Sequence, residues 1–312
     1  MFAGLGCAPA SSGQSYDAGA GNDAAVSPPS DAYVPDTCDG GVCGGCASAG
    51  TDLIYVVDDT YRLLSFDPRV LSTTPGANPF ALIGTLSCDA GWPIDGSSGD
   101  AHPFSMSVDR DGNAWVLYNS GEIFLVSTED ASCQATNFQN NNTFDLFGMG
   151  FVSNGAGADA ETLYIASTSG ASKLGTIDRT TLEITQIGTL PDGESNPELT
   201  GSGAGELYGY YPGRFDTWVS MLDQSSAGSQ QTWELDPLGG VNNLRAWAFA
   251  HWGGKFYVFV TWIDPFDRER SDVVELDQQT GTRRSVVNFQ DLGIDYIIVG
   301  AGVSTCAPFV VP

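Results

Sequence analysis

The 312-residue chain predicts an all-β fold: a five-bladed β-propeller of four-stranded antiparallel blades, its ring closed by the C-terminal strand. Three features carry that expectation. An apolar–aromatic dipeptide recurs five times, strand-like alternation surrounds each copy, and no long amphipathic helix is visible. The pairs are Ile54-Tyr55, Ala114-Trp115, Leu163-Tyr164, Leu207-Tyr208 and Phe256-Tyr257, and their aromatic members stand 60, 49, 44 and 49 positions apart. A unit of that size cannot bury its own apolar face, so neighbouring units must stack to make a core, with the five aromatics inside it.

Each unit is expected to begin with an inner strand upstream of its pair. FSMSV at 104–108, FGMGF at 147–151 and WAFAH at 247–251 alternate large and small residues, and LTGSG at 199–203 and IVGAG at 298–302 are looser copies. Period-two alternation places successive side chains on opposite faces, and small residues on one face suit close backbone approach. The pair marks the second strand. A third strand then ends in a hydrophobic-Asp step: Phe66-Asp67, Ile177-Asp178, Leu235-Asp236 and Leu276-Asp277, with Val126-Ser127 as the variant. Pro68, Pro237 or Thr280-Gly281 turns the chain after it. Fourth strands are expected at 81–86, 134–138, 182–190 and 284–289, with no convincing copy in the fourth unit.

The two ends explain each other. The first unit, from Asp52, lacks an inner strand, and the last segment, 295–306, is an inner strand with nothing after it. Residues 295–303 are therefore expected to complete the sheet begun at 52–86, which removes exposed edges. Within the second unit, FSMSVDRDGNAWVLY at 104–118 resembles the D-x-D-G-N-x-W turn of secreted bacterial β-propeller repeats. That resemblance implies an architecture and no particular activity.

Residues 8–50 are rich in Ala, Gly, Ser, Asp and Pro, and residues 1–50 contain no Lys or Arg. Such a composition reads as a disordered acidic stalk ahead of a propeller at 51–312. The opening MFAGLGCAPA resembles the cleavage end of a bacterial lipoprotein signal, Leu5-Gly6-Cys7 matching its final positions. Gly4 departs from the usual Leu, and the charged and apolar portions are missing. The resemblance implies that residues 1–7 are a signal remnant, that Cys7 carries lipid, and that the protein is outer-membrane-anchored or secreted. Cys38, Cys43, Cys46, Cys88, Cys133 and Cys306 remain, an even number that fits disulfides in an exported chain, with fifteen possible connectivities. Cys46 precedes the first strand and Cys306 follows the closing one, so both belong near one rim and their pairing is favoured. Cys43-x-x-Cys46 finds no second C-x-x-C pair or clustered His to complete a zinc site.

The charge balance, 38 acidic residues against 12 basic for a net −26, opposes nucleic acid and anionic membrane surfaces. The expected partners are a glycan or a protein, with membrane contact only through a lipid at Cys7, and the chain is expected to be a monomer. No cofactor is expected, with Ca2+ as the alternative. Asp109-x-Asp111-Gly112-Asn113 resembles the start of a calcium loop, but without the distal Glu of an EF-hand it reads as a tight turn between strands. No G-x-S-x-G, H-E-x-x-H or phosphate-cradling pattern occurs.

In a propeller the fourth-to-first and second-to-third connections share one rim. Loops at 87–103, 137–143, 212–230 and 262–271 are expected there. Among their residues, with Tyr211 beside them, Trp92, His102, Tyr211, Arg214, Trp218, Trp262, Asp264 and Asp267 are the candidate ligand contacts. Aromatics among carboxylates and arginines suit sugar rings or a protein partner. The sequence thus favours a tethered binding or scaffold protein. A glycoside or ester hydrolase is the competing expectation, with Asp145, Glu198 and Asp295, which precede or enter inner strands, as candidate catalytic carboxylates in the funnel.

Overall fold

Alternating, β-branched and aromatic segments separated by short Gly- and Asp-bearing turns produce twenty strands in the computed structural model, which describes Cys46 and residues 51–168, 170–191, 196–212, 217–235 and 244–309. The expected signal remnant with Cys7 lies outside the described residues, as does the stalk apart from Cys46. The first blade contains β1 (Ile54–Asp58), β2 (Arg62–Phe66) and β3 (Phe80–Thr85), with helix α1 (Pro68–Thr73) between the last two. The second contains β4 (Pro103–Val108), β5 (Asn113–Tyr118), β6 (Ile123–Ser127) and β7 (Cys133–Ala135). The third contains β8 (Phe147–Ser153), β9 (Glu161–Ser167), β10 (Lys173–Ile177) and β11 (Ile184–Thr189). The fourth contains β12 (Glu198–Gly201), β13 (Leu207–Tyr211), β14 (Thr217–Leu222) and β15 (Ser229–Leu235). The fifth contains β16 (Leu244–Trp252), β17 (Lys255–Ile263), β18 (Glu269–Asp277) and β19 (Arg283–Asn288), followed by one helical turn, α2 (Phe289–Leu292).

The final strand, β20 (Ile298–Val303), closes the ring as expected. It pairs antiparallel with β1, Tyr55 opposite Gly302 and Val57 opposite Gly300, and completes a sheet of order β20-β1-β2-β3. Inner strands β20, β4, β8, β12 and β16 are neighbours in turn around the axis. Their small faces make this possible. A β-carbon at Gly302 would stand 2.8 Å from the Ser107 Cα, and one at Gly148 would stand 2.9 Å from the Glu198 Cα. Hydroxyls on the same faces accept backbone N–H groups from the next inner strand: Phe151 N–H donates to Ser107 Oγ at 3.0 Å, and His251 N–H to Thr200 Oγ1 at 3.2 Å.

Apolar burial sits between blades. Trp115 and Leu125 of the second blade meet Phe147, Met149 and Phe151 of the third. Tyr208 and Val219 of the fourth meet Phe249 and Phe256 of the fifth, and Phe259 and Val273 of the fifth meet Ile54 and Phe66 of the first. All five landmark aromatics are buried. Each removes roughly 150–250 Å² from water, worth on the order of 4–6 kcal/mol before the entropy of ordering is counted.

The fourth blade corrects the expected register. The segment 212–230 is not one long loop, because it contains β14 and the start of β15, and the fourth strand missed in the sequence is Ser229–Leu235. The turn that ends the third strand begins at Leu222-Asp223, not at Leu235-Asp236. Its chemistry repeats. Asp178, Asp223 and Asp277 each accept two successive backbone N–H groups, from Thr180 and Thr181, Ser225 and Ser226, and Gln279 and Thr280. Ser127 accepts from Glu129 and Asp130 in the same way. Four residues after each acceptor the backbone is left-handed, at Leu182, Ala227, Gly281 and Ala131. In the first blade the equivalent Asp67 caps helix α1, with Pro68 at the first helical position. The 262–271 segment is likewise shorter as a loop, since Trp262 and Ile263 end β17 and Glu269 begins β18.

The rim opposite the mouth of the funnel is held by charge and by a disulfide. Arg179 reaches Asp109 Oδ2 at 3.0 Å, Asp111 Oδ2 at 2.9 Å and Glu161 Oε1 at 3.2 Å, with its guanidinium over the Phe151 ring. Asp109 also accepts from Asp111 N–H, Asn113 N–H and Trp115 Nε1, so the calcium-like pattern is a turn around a guanidinium. Glu161 accepts from Arg110 N–H and from the Thr305 hydroxyl, next to Cys306. Burial pushes its carboxyl up to about 7 against the pull of those donors and Arg179. Cys306 is bonded to Cys46, the expected pair, and Cys88 to Cys133. Two disulfides fit an oxidising, extracytoplasmic compartment.

The Cys46–Cys306 bridge closes a separation of 260 residues and Cys88–Cys133 one of 45. On the chain-entropy account the Cys46→Ser/Cys306→Ser pair should therefore lose roughly 1.5 kcal/mol more stability in urea melts than Cys88→Ser/Cys133→Ser. Equal losses would count against the long bridge as the clasp of the ring.

Candidate functional site

Inner strands enter the propeller from the rim that carries the fourth-to-first connections, and a cleft of about 180 Å³ lies where they begin. Every blade contributes. Val299 comes from the first, Pro103 and Phe104 from the second with Asp95 and His102 on the loop leading to it, and Thr168 from the third. Asn196 and Glu198 come from the fourth, and Arg245, Ala246 and Trp247 from the fifth. It is the mouth of the central funnel.

The loop bearing Asp95 and His102 is fastened by Asn119, a buried residue in the Tyr118-Asn119-Ser120-Gly121 turn after β5. Asn119 O accepts the Ile94 N–H at 2.8 Å, and Asn119 N–H donates to His102 O at 2.9 Å. Its side-chain Oδ1 accepts the His102 N–H at 2.9 Å, which fixes the orientation of the amide. The amide nitrogen then faces Asp95 Oδ2 at 3.0 Å, Ser97 Oγ at 3.1 Å and His102 Nδ1 at 3.1 Å. With the amide so oriented its N–H faces Nδ1, a contact that suits the tautomer with its proton on Nε2. Burial pulls the Asp95 carboxyl up, but donors from the Ser97 hydroxyl and N–H and from the Asn119 amide outweigh it. Asp95 stays below the ordinary carboxylate range and is ionised.

Glu198 behaves in the opposite way. It opens β12, and its side chain passes over Gly148 of the intervening blade to reach Ser105 Oγ at 3.0 Å in the second blade. Two blades that are not neighbours in the ring are thus joined across the axis. Burial drives its carboxyl well above the usual range, and the Ser105 hydroxyl, the other influence on it, offsets little of that. Glu198 therefore keeps its proton to higher pH than an ordinary glutamate does. Beside it, Trp247 Nε1 donates to Asn196 O at 3.2 Å, and Arg245 Nε pairs with Glu269 Oε1 at 3.1 Å.

Of the carboxylates expected in the funnel, the structure brings only Glu198 to the cleft. Asp145 accepts its neighbour Leu146 N–H outside the lining, and the Asp295 side chain is 86% exposed and paired with Arg62. Among the candidate ligand contacts, His102 lines the cleft and Trp92 projects from the same loop, 82% exposed. Tyr211 is buried and stacks on Trp218 of β14, rings 5.4 Å apart and 13° from parallel, so both belong to the fourth blade and not to a loop. Trp262 packs on β17 opposite Arg270. Asp264 pins the β17–β18 hairpin by accepting Phe266 and Arg268 N–H and pairing with Arg268 and Arg270, and Asp267 occupies its left-handed position. Arg214 lies outside the described residues. Arg245, Asn196 and Asn119 were not singled out by the sequence, and Trp247 was visible only as the first residue of an alternating strand. Among the described residues no cluster of three His, Cys, Asp or Glu forms a metal site.

No protein-family model matches the sequence. No curated protein matches it either. Similar solved structures include hydrazine synthase of Kuenenia stuttgartiensis, at 11% identity and TM-score 0.39 over 80% of this chain and 69% of that one. TolB from Acinetobacter baumannii aligns at 12% identity and TM-score 0.42 over 78% of this chain, which spans 54% of that one. An α-L-arabinanase of Cellvibrio cellulosa aligns at 13% identity and TM-score 0.45 over 78% of this chain and 94% of that one.

The raised Glu198 carboxyl has a consequence for pH. An unfolded glutamate ionises near about pH 4.3, so folding takes up a proton above that value. The raised folded value makes this stability complete below about pH 4.3, and it is lost as pH rises toward the folded pKa. Glu198→Gln, which cannot ionise, should match wild type in melting temperature near about pH 4 and exceed it near about pH 8. Parallel melting curves across that range would contradict the upward shift of Glu198.

Proposed function

We propose that this is an exported binding propeller that holds a neutral, hydroxyl-rich ligand, the end unit of a glycan, in the funnel-mouth cleft, and that a lipid on Cys7 tethers it. The observation that carries the reading is the convergence, from all five blades, of an indole, donors and acceptors on one small cleft. Trp247 supplies an apolar face. Arg245 and His102 Nε2 supply donors, Asp95 and Asn196 acceptors, and Glu198 in its protonated form offers one of each without adding charge. A set of this kind matches alternating hydroxyls better than a single formal charge.

Hydrolysis is a second reading, favoured by one specific observation. Asp95 and Glu198 line the same cleft with their acidities pushed apart, one below and one above the ordinary carboxylate range. That division suits general acid–base chemistry: Glu198 would give its proton to a departing oxygen while Asp95 took one from the attacking water.

Calorimetric titration of the full chain with neutral mono- and disaccharides, beside a panel of chromogenic glycosides and esters, separates the two. Trp247→Ala and Arg245→Ala should each weaken sugar binding by about tenfold, roughly 1.4 kcal/mol. Turnover that disappears in Glu198→Gln and Asp95→Asn would establish the hydrolase instead. Sugar affinity indifferent to both cleft substitutions would reject the binding reading.

A further inference from the structure

Building on the cleft reading, we propose that the ligand is an extended neutral glycan chain, and that Trp92 and Phe266 are stacking platforms that grip it outside the cleft. At about 180 Å³ the cleft is smaller than the roughly 300–1,000 Å³ that enclose a drug-sized ligand, so it has room for one small unit and the remainder must project onto the rim. Trp92 and Phe266 stand on that rim, 82% and 77% exposed. Topology places them there: Trp92 is on the connection into β4, and Phe266 on the β17–β18 hairpin.

An exposed aromatic ring commonly serves to pin its own loop. Here the loops are held by other groups. The backbone on each side of Trp92 is already fixed, Gly91 N–H donating to Glu122 Oε2 at 2.6 Å and Ile94 N–H to Asn119 O at 2.8 Å. Phe266 N–H donates to Asp264 Oδ1 at 2.9 Å, in a hairpin held by Asp264 with Arg268 and Arg270. The Arg268 guanidinium lies 4.9 Å from the Phe266 ring centre and covers one face of it. Both rings therefore stand on fixed backbone and are presented to solvent, an arrangement that lowers the ordering cost of the loops on binding. Each mount also leads to the cleft. The Trp92 loop continues into Asp95 and His102, and the Phe266 hairpin continues into Glu269, the partner of Arg245.

The chemistry around the rings selects the occupant. A net charge of −26 opposes nucleic acid and anionic lipid. A protein partner needs a contiguous desolvated centre, whereas these rings have Asp89, Asp95, Asp264 and Asp267 close by in sequence. A pyranose chain presents apolar C–H faces one ring at a time, with hydroxyls at the edges for neighbouring carboxylates.

The test uses the full chain on an array of neutral glycans, then titrates oligomers of the best binder, of about two to six units, following tryptophan fluorescence and heat. Affinity should rise about tenfold with length, the scale of an aromatic contact. Trp92→Ala and Phe266→Ala should each remove part of that rise, leave affinity for the shortest oligomer unchanged, and leave the melting temperature unchanged. A short oligomer that binds in a Trp247-dependent way with no gain from length overturns this inference and leaves the cleft reading standing. Absence of any neutral-glycan binding overturns both.

Discussion

Everything in this molecule depends on how closely five inner strands can approach one axis. Backbone-to-backbone contact there leaves no room for a β-carbon at Gly148 or Gly302, and it places Ser107 and Thr200 where their hydroxyls take up N–H groups of adjoining strands. Larger residues at these positions would push the strands apart, and the apolar layers between blades would open with them. The same narrowness creates the funnel. Because the strands are so close, Glu198 can cross from the fourth blade to Ser105 of the second, over the one residue in its path that has no side chain.

The two rims answer different demands. On one, Arg179 gathers Asp109, Asp111 and Glu161, and Thr305 and Cys306 attach the end of the chain to the same cluster. Its charges are spent on one another, and removing Arg179 would strand the buried Asp109 carboxylate at a cost of about 3–5 kcal/mol. On the other rim Arg245, His102 and Asp95 are held in place while parts of each still face the cleft. Stability is concentrated at one end of the axis and chemical opportunity at the other.

The architecture was legible because propeller repeats write themselves in short-range patterns: the landmark pairs, the alternating inner strands and the unmatched first and last segments all survive as local sequence. The fourth blade misled for a local reason too. Its turn begins at Asp223 followed by Gln-Ser-Ser-Ala, which carries neither the Pro nor the Gly that marked other turns, and the left-handed position falls to Ala227. Reading Leu235-Asp236 as the step instead shifted one strand and dissolved Trp218 into a loop. The cleft was less legible, since its residues come from five places brought together by ring closure. Asn119 shows why. Its role rests on the orientation of one amide toward a loop some twenty positions earlier, and no spacing in the sequence announces that.

The pairing of β20 with β1 also orders events in time. Until the last stretch of chain is available, β1 has an open inner edge, and residues separated by nearly the whole length of the domain must find each other to cover it. Blades two to five can assemble from nearby segments, but the first cannot. The nascent chain therefore carries an unpaired strand edge from the synthesis of β1 until that of β20, and anything that delays β20 lengthens the interval in which two copies can pair with each other in place of closing on themselves.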